Sequence, residues 1–142
     1  MAGNEIRRAY AVHGGDYANG GRASTAIKDL LKALAVRADV IRRVAIAAYE
    51  AEMNVVMYAR RGTMAISVTP ARVTVEVSDE GPGIPDIGLA MQEGWSTATP
   101  EMREMGFGAG MGLPNIQRNS DEFRIVSEVG RGTRLFIQVA MV

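Results

Sequence analysis

The sequence predicts one α+β domain built as a two-layer sandwich, in which a mixed, mostly antiparallel sheet carries helices on one face. Two apolar patterns of helical period come first, over Ala23–Leu34 and about Asp39–Arg60, and Gly62 follows as a stop signal. Two pairs of strand-like segments come later, and each pair is joined by a short link that favours an antiparallel hairpin. These segments are Met64–Thr69 with Arg72–Ser78, and Phe123–Val129 with Thr133–Val142.

Weaker patterns fill the rest of the chain. Tyr10–His13 is a short strand candidate, and Asp86–Gln92 is a short helix candidate with Asp86 as its cap. A third helix is predicted from about Leu113, with Pro114 near its first position. The stretch from about residue 84 to 107 is long for a loop inside one domain. We expect a lid over a ligand there, with a plain surface loop as the alternative.

Composition narrows the classes of partner. The chain has 142 residues, a length typical of one domain, and 47% of them are hydrophobic. Its 16 basic and 16 acidic residues balance, so we expect neither nucleic acid nor an anionic membrane as the main partner. It has no cysteine, no signal-peptide core and no apolar run near the ~18 residues that span a bilayer. We therefore expect a cytoplasmic protein.

Three polar side chains interrupt the second helical pattern, which is otherwise apolar nearly all round and is therefore predicted to be buried. Glu50 and Asn54 lie four residues apart and share one helix face. Because a buried carboxylate needs a partner, this face must border a polar cavity or hold an ion pair in the core. A carboxylate and an amide oxygen suit Mg²⁺ and the activation of a hydroxyl group. Glu52 lies about 200° around the helix from Glu50, where we expect solvent or a partner protein.

A short turn, Asp79-Glu-Gly81-Pro-Gly83, follows a strand of clean alternation. Asp79 continues the parity of the apolar strand residues, so it is predicted to face the core side at the end of the strand. Its carboxylate could there accept a hydrogen bond from an exocyclic amine such as that of adenine. Gly81 and Gly83 would permit the close approach of a ligand. An ordinary tight turn has the same residues, so both interpretations stay open.

Alternating glycines precede the third predicted helix, in the run Gly106-Phe-Gly108-Ala-Gly110-Met-Gly112. Free backbone amides and a helix start together form an anion site suited to phosphate groups. The run lacks the Gly-Lys-Ser/Thr of a Walker loop, and no strand immediately precedes it as in a dinucleotide-binding fold. A flexible glycine hinge is the alternative.

The order of these motifs resembles the Bergerat ATP-binding pattern of the GHKL superfamily. The pattern runs from Glu50-x-x-x-Asn54 through Asp79-x-Gly-x-Gly, a lid and a glycine run to Gly132-Thr133 at a strand start. Within the superfamily, the chain is similar to the anti-sigma-factor serine/threonine kinases, in the switch-kinase branch of stressosome and partner-switching modules. The stretches that carry this narrower likeness are Asp79–Asp86, Glu93–Thr97, Gly108–Gly110 and Asp121–Phe123. The resemblance covers about residues 10–140.

The resemblance implies a role for each matching residue. Glu50 would be the catalytic base that takes a proton from a serine or threonine hydroxyl, and Asn54 would ligate Mg²⁺. Asp79 would bind the adenine amine of ATP, and Thr133 would support the same end of the base. Further nucleotide contacts would come from residues of the two loops, namely Gly81, Gly83, Gly108, Gly110, Met111, Gly112 and Leu113.

The implied activity is ATP-dependent phosphorylation of STAS-domain scaffold or antagonist proteins on serine or threonine, followed by release and binding of a downstream regulator. The alternative is a nucleotide-regulated, anti-sigma-type binding module that acts by sequestration. A plain ATPase fits the pocket but not the small size, and a homodimer is left open. Many relatives carry histidine where Tyr58 stands, and Thr99–Gly106 looks like an insertion, which puts the geometry of the lid in doubt.

Overall fold

The computed structural model describes residues 4–92 and 112–142. Its elements, in chain order, are β1 (Ile6–His13), a 3₁₀ turn (Tyr17–Asn19), α1 (Arg22–Ala33), α2 (Ala38–Tyr58), β2 (Arg61–Val68), β3 (Arg72–Glu80), α3 (Ile87–Ala90), α4 (Gly112–Arg118), β4 (Glu122–Glu128) and β5 (Gly132–Ala140). Strands and helices form separate layers, so the predicted α+β sandwich is confirmed.

The five strands form one sheet in the order β1-β2-β3-β5-β4. Every neighbouring pair among these described strands is antiparallel, so the expectation of a mixed sheet is wrong for this part of the chain. The reason lies in the connection between β1 and β2. It consists of two helices, and a helix pair returns the chain to the end of the sheet that it left. As a result β2 runs against β1, with His13 opposite Arg61.

The core lies between the helical layer and one face of the sheet. On β3, Val73, Val75 and Val77 are buried and the residues between them are more exposed, as the alternation predicts. The matching residues of the two neighbouring strands are Met64, Ile66, Val68, Leu135, Ile137 and Val139. The helices close this layer with buried residues that include Ile27, Leu31, Val44, Ala47, Ala48 and Ala51. Alanines on α2 let that helix approach its neighbours closely.

The second helix ends earlier than the sequence suggests. α2 stops at Tyr58, and Gly62 lies inside β2 rather than at a helix end. A β-carbon on Gly62 would lie 2.8 Å from the Ser78 carbonyl oxygen and 3.0 Å from a Val55 methyl group. The glycine is therefore needed where helix and sheet approach each other, and reading it as a stop signal was wrong. Neither the 21-residue α2 nor any other helix in residues 4–92 and 112–142 is long and apolar enough to cross a membrane.

Local signals elsewhere are confirmed. The Asp86 side chain accepts a hydrogen bond of 2.9 Å from the Leu89 backbone N–H and caps α3. The strand predicted around His13 exists and begins at Ile6, on one edge of the sheet. Both predicted hairpins form, β2 with β3 and β4 with β5. The C-terminal end of α2, the end of β3 and the start of β5 therefore lie at one end of the sheet.

Candidate functional site

Two polar side chains of α2 meet the first residue of α4. Glu50 and Asn54 lie one helical turn apart, and each is partly buried. A β-carbon on Gly112 would lie 3.2 Å from Glu50 Oε2 and 3.4 Å from Asn54 Oδ1. Because α2 and α4 pack against each other, a carboxylate, an amide and a helix start share one small region. The predicted acid–amide pair therefore lies next to Gly112, the last residue of the predicted glycine run.

The surroundings of Glu50 change its acidity. Burial raises the pKa of the Glu50 carboxyl above its usual value. A carboxylate that has lost part of its water holds a proton more tightly, which makes it a stronger base when it is ionised. A general base works best when its pKa lies near the working pH, so the direction of this change suits proton abstraction. The raised pKa is caused by desolvation, so it does not support the alternative in which Glu50 forms an ion pair in the core.

A second cluster forms where β3 and β5 lie side by side. Asp79 is partly buried at the end of β3, on the helical side that its parity predicts. The Thr133 backbone N–H donates to Asp79 Oδ1 at 3.1 Å. Burial raises the pKa of Asp79, and the Thr133 hydrogen bond opposes that rise. The bond holds one carboxylate oxygen in place, so the orientation of the other oxygen is fixed as well.

The glycines around Asp79 are required by close packing. A β-carbon on Gly81 would lie 3.1 Å from both Asp79 Oδ1 and Ala59 of the α2 end. Gly83 has φ of +76°, and a β-carbon there would collide with the Glu128 backbone. A β-carbon on Gly132 would collide with the Asp79 backbone. The turn after β3 is therefore pressed against both α2 and the β4–β5 hairpin.

Ser127 was not predicted from the sequence, although it joins the two sides of this cluster. Its hydroxyl accepts a hydrogen bond of 2.7 Å from the Ile84 N–H and lies 2.9 Å from the Thr133 hydroxyl. Ser127 pairs with Thr133 across the β4–β5 hairpin, on the face toward the helices. A polar residue at the third helix-side position of β4, after Phe123 and Ile125, was the available signal.

Glu52 corrects an expectation, since it meets neither solvent nor a partner. Its side chain is only 2% exposed. One oxygen accepts from the N–H groups of Gly21 at 3.0 Å and Ala23 at 3.1 Å, and the other accepts from Ser24 at 2.8 Å. The angle of about 200° from Glu50 was sound, but the start of α1 packs on that face. Glu52 is thus a cap for α1, supplied by another helix.

The remaining predicted residues divide into two groups. Leu113 is buried at 9% exposure and belongs to the core, so only its backbone is available for the predicted nucleotide contact. Gly108, Gly110, Met111 and most of the predicted lid lie outside the described residues. Their roles stay predictions.

Comparison with known proteins now bears on this arrangement. A family model described as "Histidine kinase-like ATPase domain" matches residues 16–139, which include both clusters. The chain belongs to this family. The match confirms the predicted superfamily and agrees with the α+β fold described above.

Curated relatives narrow the position of this histidine kinase-like ATPase. It is 35% identical over 97 residues to "Serine/threonine-protein kinase RsbT" of Bacillus subtilis, covering 66% of this chain and 67% of that protein. It is 39% identical over 71 residues to "Anti-sigma F factor" of a Thermoanaerobacter species, covering 50% of this chain and 46% of the relative. The chain therefore spans about half the length of that anti-sigma factor. These relatives confirm the predicted serine/threonine kinase class and the anti-sigma kinase group, and they imply the use of ATP.

A solved structure supports the fold independently. A chain of the SiaB–SiaC complex from Pseudomonas aeruginosa superimposes with a TM-score of 0.66 at 14% identity, covering 96% of this chain and 90% of that one. At this identity the likeness concerns the fold alone. It extends over nearly all of the sandwich, which agrees with the predicted architecture.

Proposed function

We propose that this chain is an ATP- and Mg²⁺-dependent kinase that phosphorylates a serine or threonine of a STAS-domain partner protein and thereby switches protein partners. Glu50 is the catalytic base, Asn54 ligates Mg²⁺, and Asp79 with Thr133 binds adenine. The described glycines of the two loops, Gly81, Gly83 and Gly112, provide room and backbone donors. Gly108, Gly110, Met111 and Leu113 complete the nucleotide contacts in this proposal.

One observation carries the proposal, the convergence of Glu50, Asn54 and Gly112. A β-carbon on Gly112 would lie 3.2 Å from Glu50 Oε2 and 3.4 Å from Asn54 Oδ1, so both side-chain oxygens border the same space. A core carboxylate with a purely structural role needs donors around it, as Glu52 has. Glu50 is instead partly buried beside Asn54 and Gly112, and its pKa is raised by desolvation. That environment suits a group that must take up a proton.

The chemistry that follows is a direct phosphoryl transfer. The Glu50 carboxylate takes the proton of the substrate hydroxyl while its oxygen forms a bond to the γ-phosphorus of ATP. The bond between that phosphorus and the β–γ bridging oxygen breaks, and ADP leaves with the electron pair. Glu50 then releases its proton to water. Positioning and charge neutralisation supply most of the rate enhancement in reactions of this kind.

The donor set at Asn54 fits magnesium. Mg²⁺ prefers oxygen ligands and is commonly held by one or two protein side chains, with phosphate oxygens and water completing the shell. The Asn54 amide oxygen lies beside Gly112, where phosphates would approach a helix start, and a β-carbon would fill that space. When bound, the ion neutralises the charge of the transferring phosphoryl group. Asn54 would hold the ion on the same helix face as Glu50.

The Asp79 carboxylate suits the adenine base of ATP. This partly buried group keeps one oxygen on the Thr133 N–H and can accept the 6-amino group with the other. Glycine at position 81 leaves the base room to approach, because a side chain there would lie 3.1 Å from Asp79 Oδ1. Adenine and the γ-phosphate would then occupy opposite ends of one cleft along α2.

The partner assignment rests on the relatives. One is named a serine/threonine-protein kinase and others are named anti-sigma F factors, so protein partners of regulatory type fit this chain. We propose a STAS-domain scaffold or antagonist as substrate, a downstream regulator bound after release, a cytoplasmic location and a homodimer as one assembly.

The decisive experiment is transfer of ³²P from γ-labelled ATP to a purified STAS-domain protein from the same genome, with wild type and Glu50→Gln compared. We expect loss of transfer by about 10²–10⁴-fold, the usual contribution of a general base. ADP affinity by calorimetry should change little. Glu76→Gln, the same chemical change at an exposed position of β3, is the matched control.

Equal labelling by wild type and Glu50→Gln would remove Glu50 from the role of base. Asp79→Asn tests the adenine end separately, because it converts an acceptor into a mixed group. We expect it to weaken ADP binding, and unchanged affinity would contradict that assignment. Asn54→Ala should lower the affinity for ADP with Mg²⁺ more than the affinity for ADP in EDTA.

A second function is favoured by the likeness to anti-sigma F factors. The chain would then sequester a regulatory protein under nucleotide control and transfer little phosphate. Tight partner binding that depends on ADP or ATP, with no transfer above the Glu50→Gln background, would select this alternative.

A further inference from the structure

β4 lies at one end of the sheet and has an unpaired backbone edge. Within residues 4–92 and 112–142 it pairs with β5 on one side and with no strand on the other. The Thr133 N–H points to Asp79 of β3, away from β4. Thr133 and the opposite Ser127 are therefore a non-hydrogen-bonded pair, which agrees with the 2.9 Å between their hydroxyl oxygens. By alternation, the backbone groups of Phe123, Ile125 and Ser127 point outward from the sheet edge.

The charged side chains of β4 lie on the sheet face away from the helices, and they are Glu122, Arg124 and Glu128. Val126 lies among them and is 58% exposed. Arg124 is held over the Phe136 ring, 5.1 Å from its centroid, and no described carboxylate forms an ion pair with it. Charges on an edge strand ordinarily discourage pairing with another strand, but their order decides which pairing is discouraged.

One antiparallel register between two copies of β4 sets opposite charges against each other. When Val126 lies opposite Val126 of a second copy, Arg124 lies opposite the second Glu128. The two-fold axis repeats this contact on its other side. The outward backbone groups of Ile125 and Ser127 then form about four hydrogen bonds between the strands.

The neighbouring registers oppose like charges. With Ile125 opposite itself, the strands would gain about two hydrogen bonds near their ends, but Glu122 would lie against Glu128 on both sides of the axis. With Arg124 opposite itself, two arginines would meet. β1, at the other end of the sheet, has two arginines and no acidic residue, so its self-pairing offers no register with opposite charges.

We propose that β4 pairs with β4 of a second copy, with Val126 at the two-fold axis, in one continuous sheet that has five strands from each copy. Opposite charges at both ends of the pair fix the register, and the two valines make the close contact of a non-hydrogen-bonded pair. A two-fold pairing closes on itself, so it gives a dimer and no polymer. The pairing supplies a surface for the homodimer named in the proposed function, and it rests on none of the nucleotide contacts.

An engineered cysteine reports the register directly, because the chain has no cysteine of its own. Opposite residues of a non-hydrogen-bonded pair have Cα atoms about 4.5 Å apart, which a disulfide can bridge. Under oxidation by air, Val126→Cys should form a covalent dimer at least about 10-fold faster than Val129→Cys. Val129 is the matched control, because it is more exposed, at 65%, and lies beyond the strand. Equal rates for the two variants would overturn the register.

Sedimentation equilibrium over a range of concentrations measures the dimer without a cross-link. Wild type should show a reversible monomer–dimer equilibrium, and a wild type that stays monomeric or forms open polymers overturns the pairing. Arg124→Glu sets like charges at both ends and should weaken the dimer at least about 5-fold. Adding Glu128→Arg restores opposite charges and should return the affinity to within about 3-fold of wild type. A double variant as weak as Arg124→Glu alone would overturn the charge pairing.

Assembly and activity are measured separately. Glu50→Gln should dimerise as wild type does, since Glu50 lies on α2. A dimer that transfers no phosphate supports the strand pairing and refutes the kinase proposal, whereas a monomer that phosphorylates its substrate does the reverse. A wild type that is monomeric alone but binds the substrate protein through a contact weakened by Arg124→Glu would assign the edge to the substrate and overturn the second copy as its occupant.

Discussion

Glu52 offers the sharpest test of how the helical layer is held together. Its buried carboxylate accepts three backbone N–H groups at the start of α1, at 2.8, 3.0 and 3.1 Å. α1 has no cap of its own, because Gly21 stands at its N-cap position with φ of 96° and no side chain to offer. Replacing Glu52 by glutamine keeps the shape of the side chain and removes its charge.

The magnitude follows from the hydrogen bonds. In Glu52→Gln one carboxylate oxygen becomes an NH₂ group, so at least one backbone N–H then faces a donor instead of an acceptor. Hydrogen bonds to charged groups contribute about 1.5–3 kcal/mol each, and neutral ones about 1 kcal/mol. One lost hydrogen bond and two weakened ones should lower the free energy of unfolding by about 2–4 kcal/mol, once the gain from no longer burying a charge is subtracted. That is a large share of the roughly 5–15 kcal/mol that stabilises a domain.

The assay is urea unfolding followed by circular dichroism at pH 7, with Glu76→Gln as the control at an exposed site. We expect Glu52→Gln to shift the midpoint to lower urea without a change in the slope, and Glu76→Gln to stay within about 0.5 kcal/mol of wild type. Thermal unfolding should show a Tm lower by about 5–15 °C. Glu52→Gln that unfolds at the wild-type urea concentration would refute the capping role.

Three further predictions follow from the same geometry. The pKa of Glu50 is raised in the folded chain, so the cost of ionising it grows as pH rises through its ordinary value; Glu50→Gln should therefore melt at a higher temperature than wild type at pH 7 and at the same temperature at pH 3. The pKa of Asp121 is lowered by the Ala140 N–H and by Arg43, so its contribution is present above the ordinary aspartate value and is lost as pH falls through the folded value; because the group is largely exposed and its ion pair is screened by solvent, Asp121→Asn should cost no more than about 0.5 kcal/mol at pH 7, the difference should shrink as the pH is lowered, and a constant difference across pH would contradict this. Gly112→Ala places a methyl group 3.2 Å from Glu50 Oε2, so it should slow phosphoryl transfer at least 10-fold while leaving the melting temperature unchanged or higher, since alanine favours a helix; unimpaired transfer would show that Gly112 does not border the reacting groups.

Local sequence patterns predicted where several of the candidate site residues lie in the fold. Glu50 and Asn54 could be placed on one face because helical period is a local property, and Asp79 could be placed on the core side because strand parity is local as well. Both placements are confirmed by their burial and neighbours. The hairpins were equally accessible, because short links leave few other pairings.

Contacts between distant segments were not accessible in this way. Ser127 and Ile84 are 43 residues apart, and Glu52 and Gly21 are 31 apart, so no period or spacing connects them. Gly62 was misread for the same reason, since its need for a bare backbone comes from Ser78 and Val55 of other elements. A partial signal did exist for Glu52. A helix that begins after Gly20-Gly21 without a capping side chain must obtain its acceptor from elsewhere.

The contrast between Glu50 and Glu52 shows how one helix separates chemistry from structure. The two residues have the same side chain and differ only in which face of α2 they occupy. Glu52 accepts hydrogen bonds from three backbone N–H groups, which stabilise its charge, and its role is to cap α1. Glu50 lies beside Asn54 and Gly112, and desolvation raises its pKa. The same substitution at the two sites should therefore have opposite effects: Glu50→Gln removes phosphoryl transfer and spares stability, whereas Glu52→Gln lowers stability and, below its unfolding temperature, leaves the reacting groups in place. Measuring transfer and unfolding for both variants tests the assignment of the two faces directly, and a parallel loss of activity and stability in both would show that the faces are not independent.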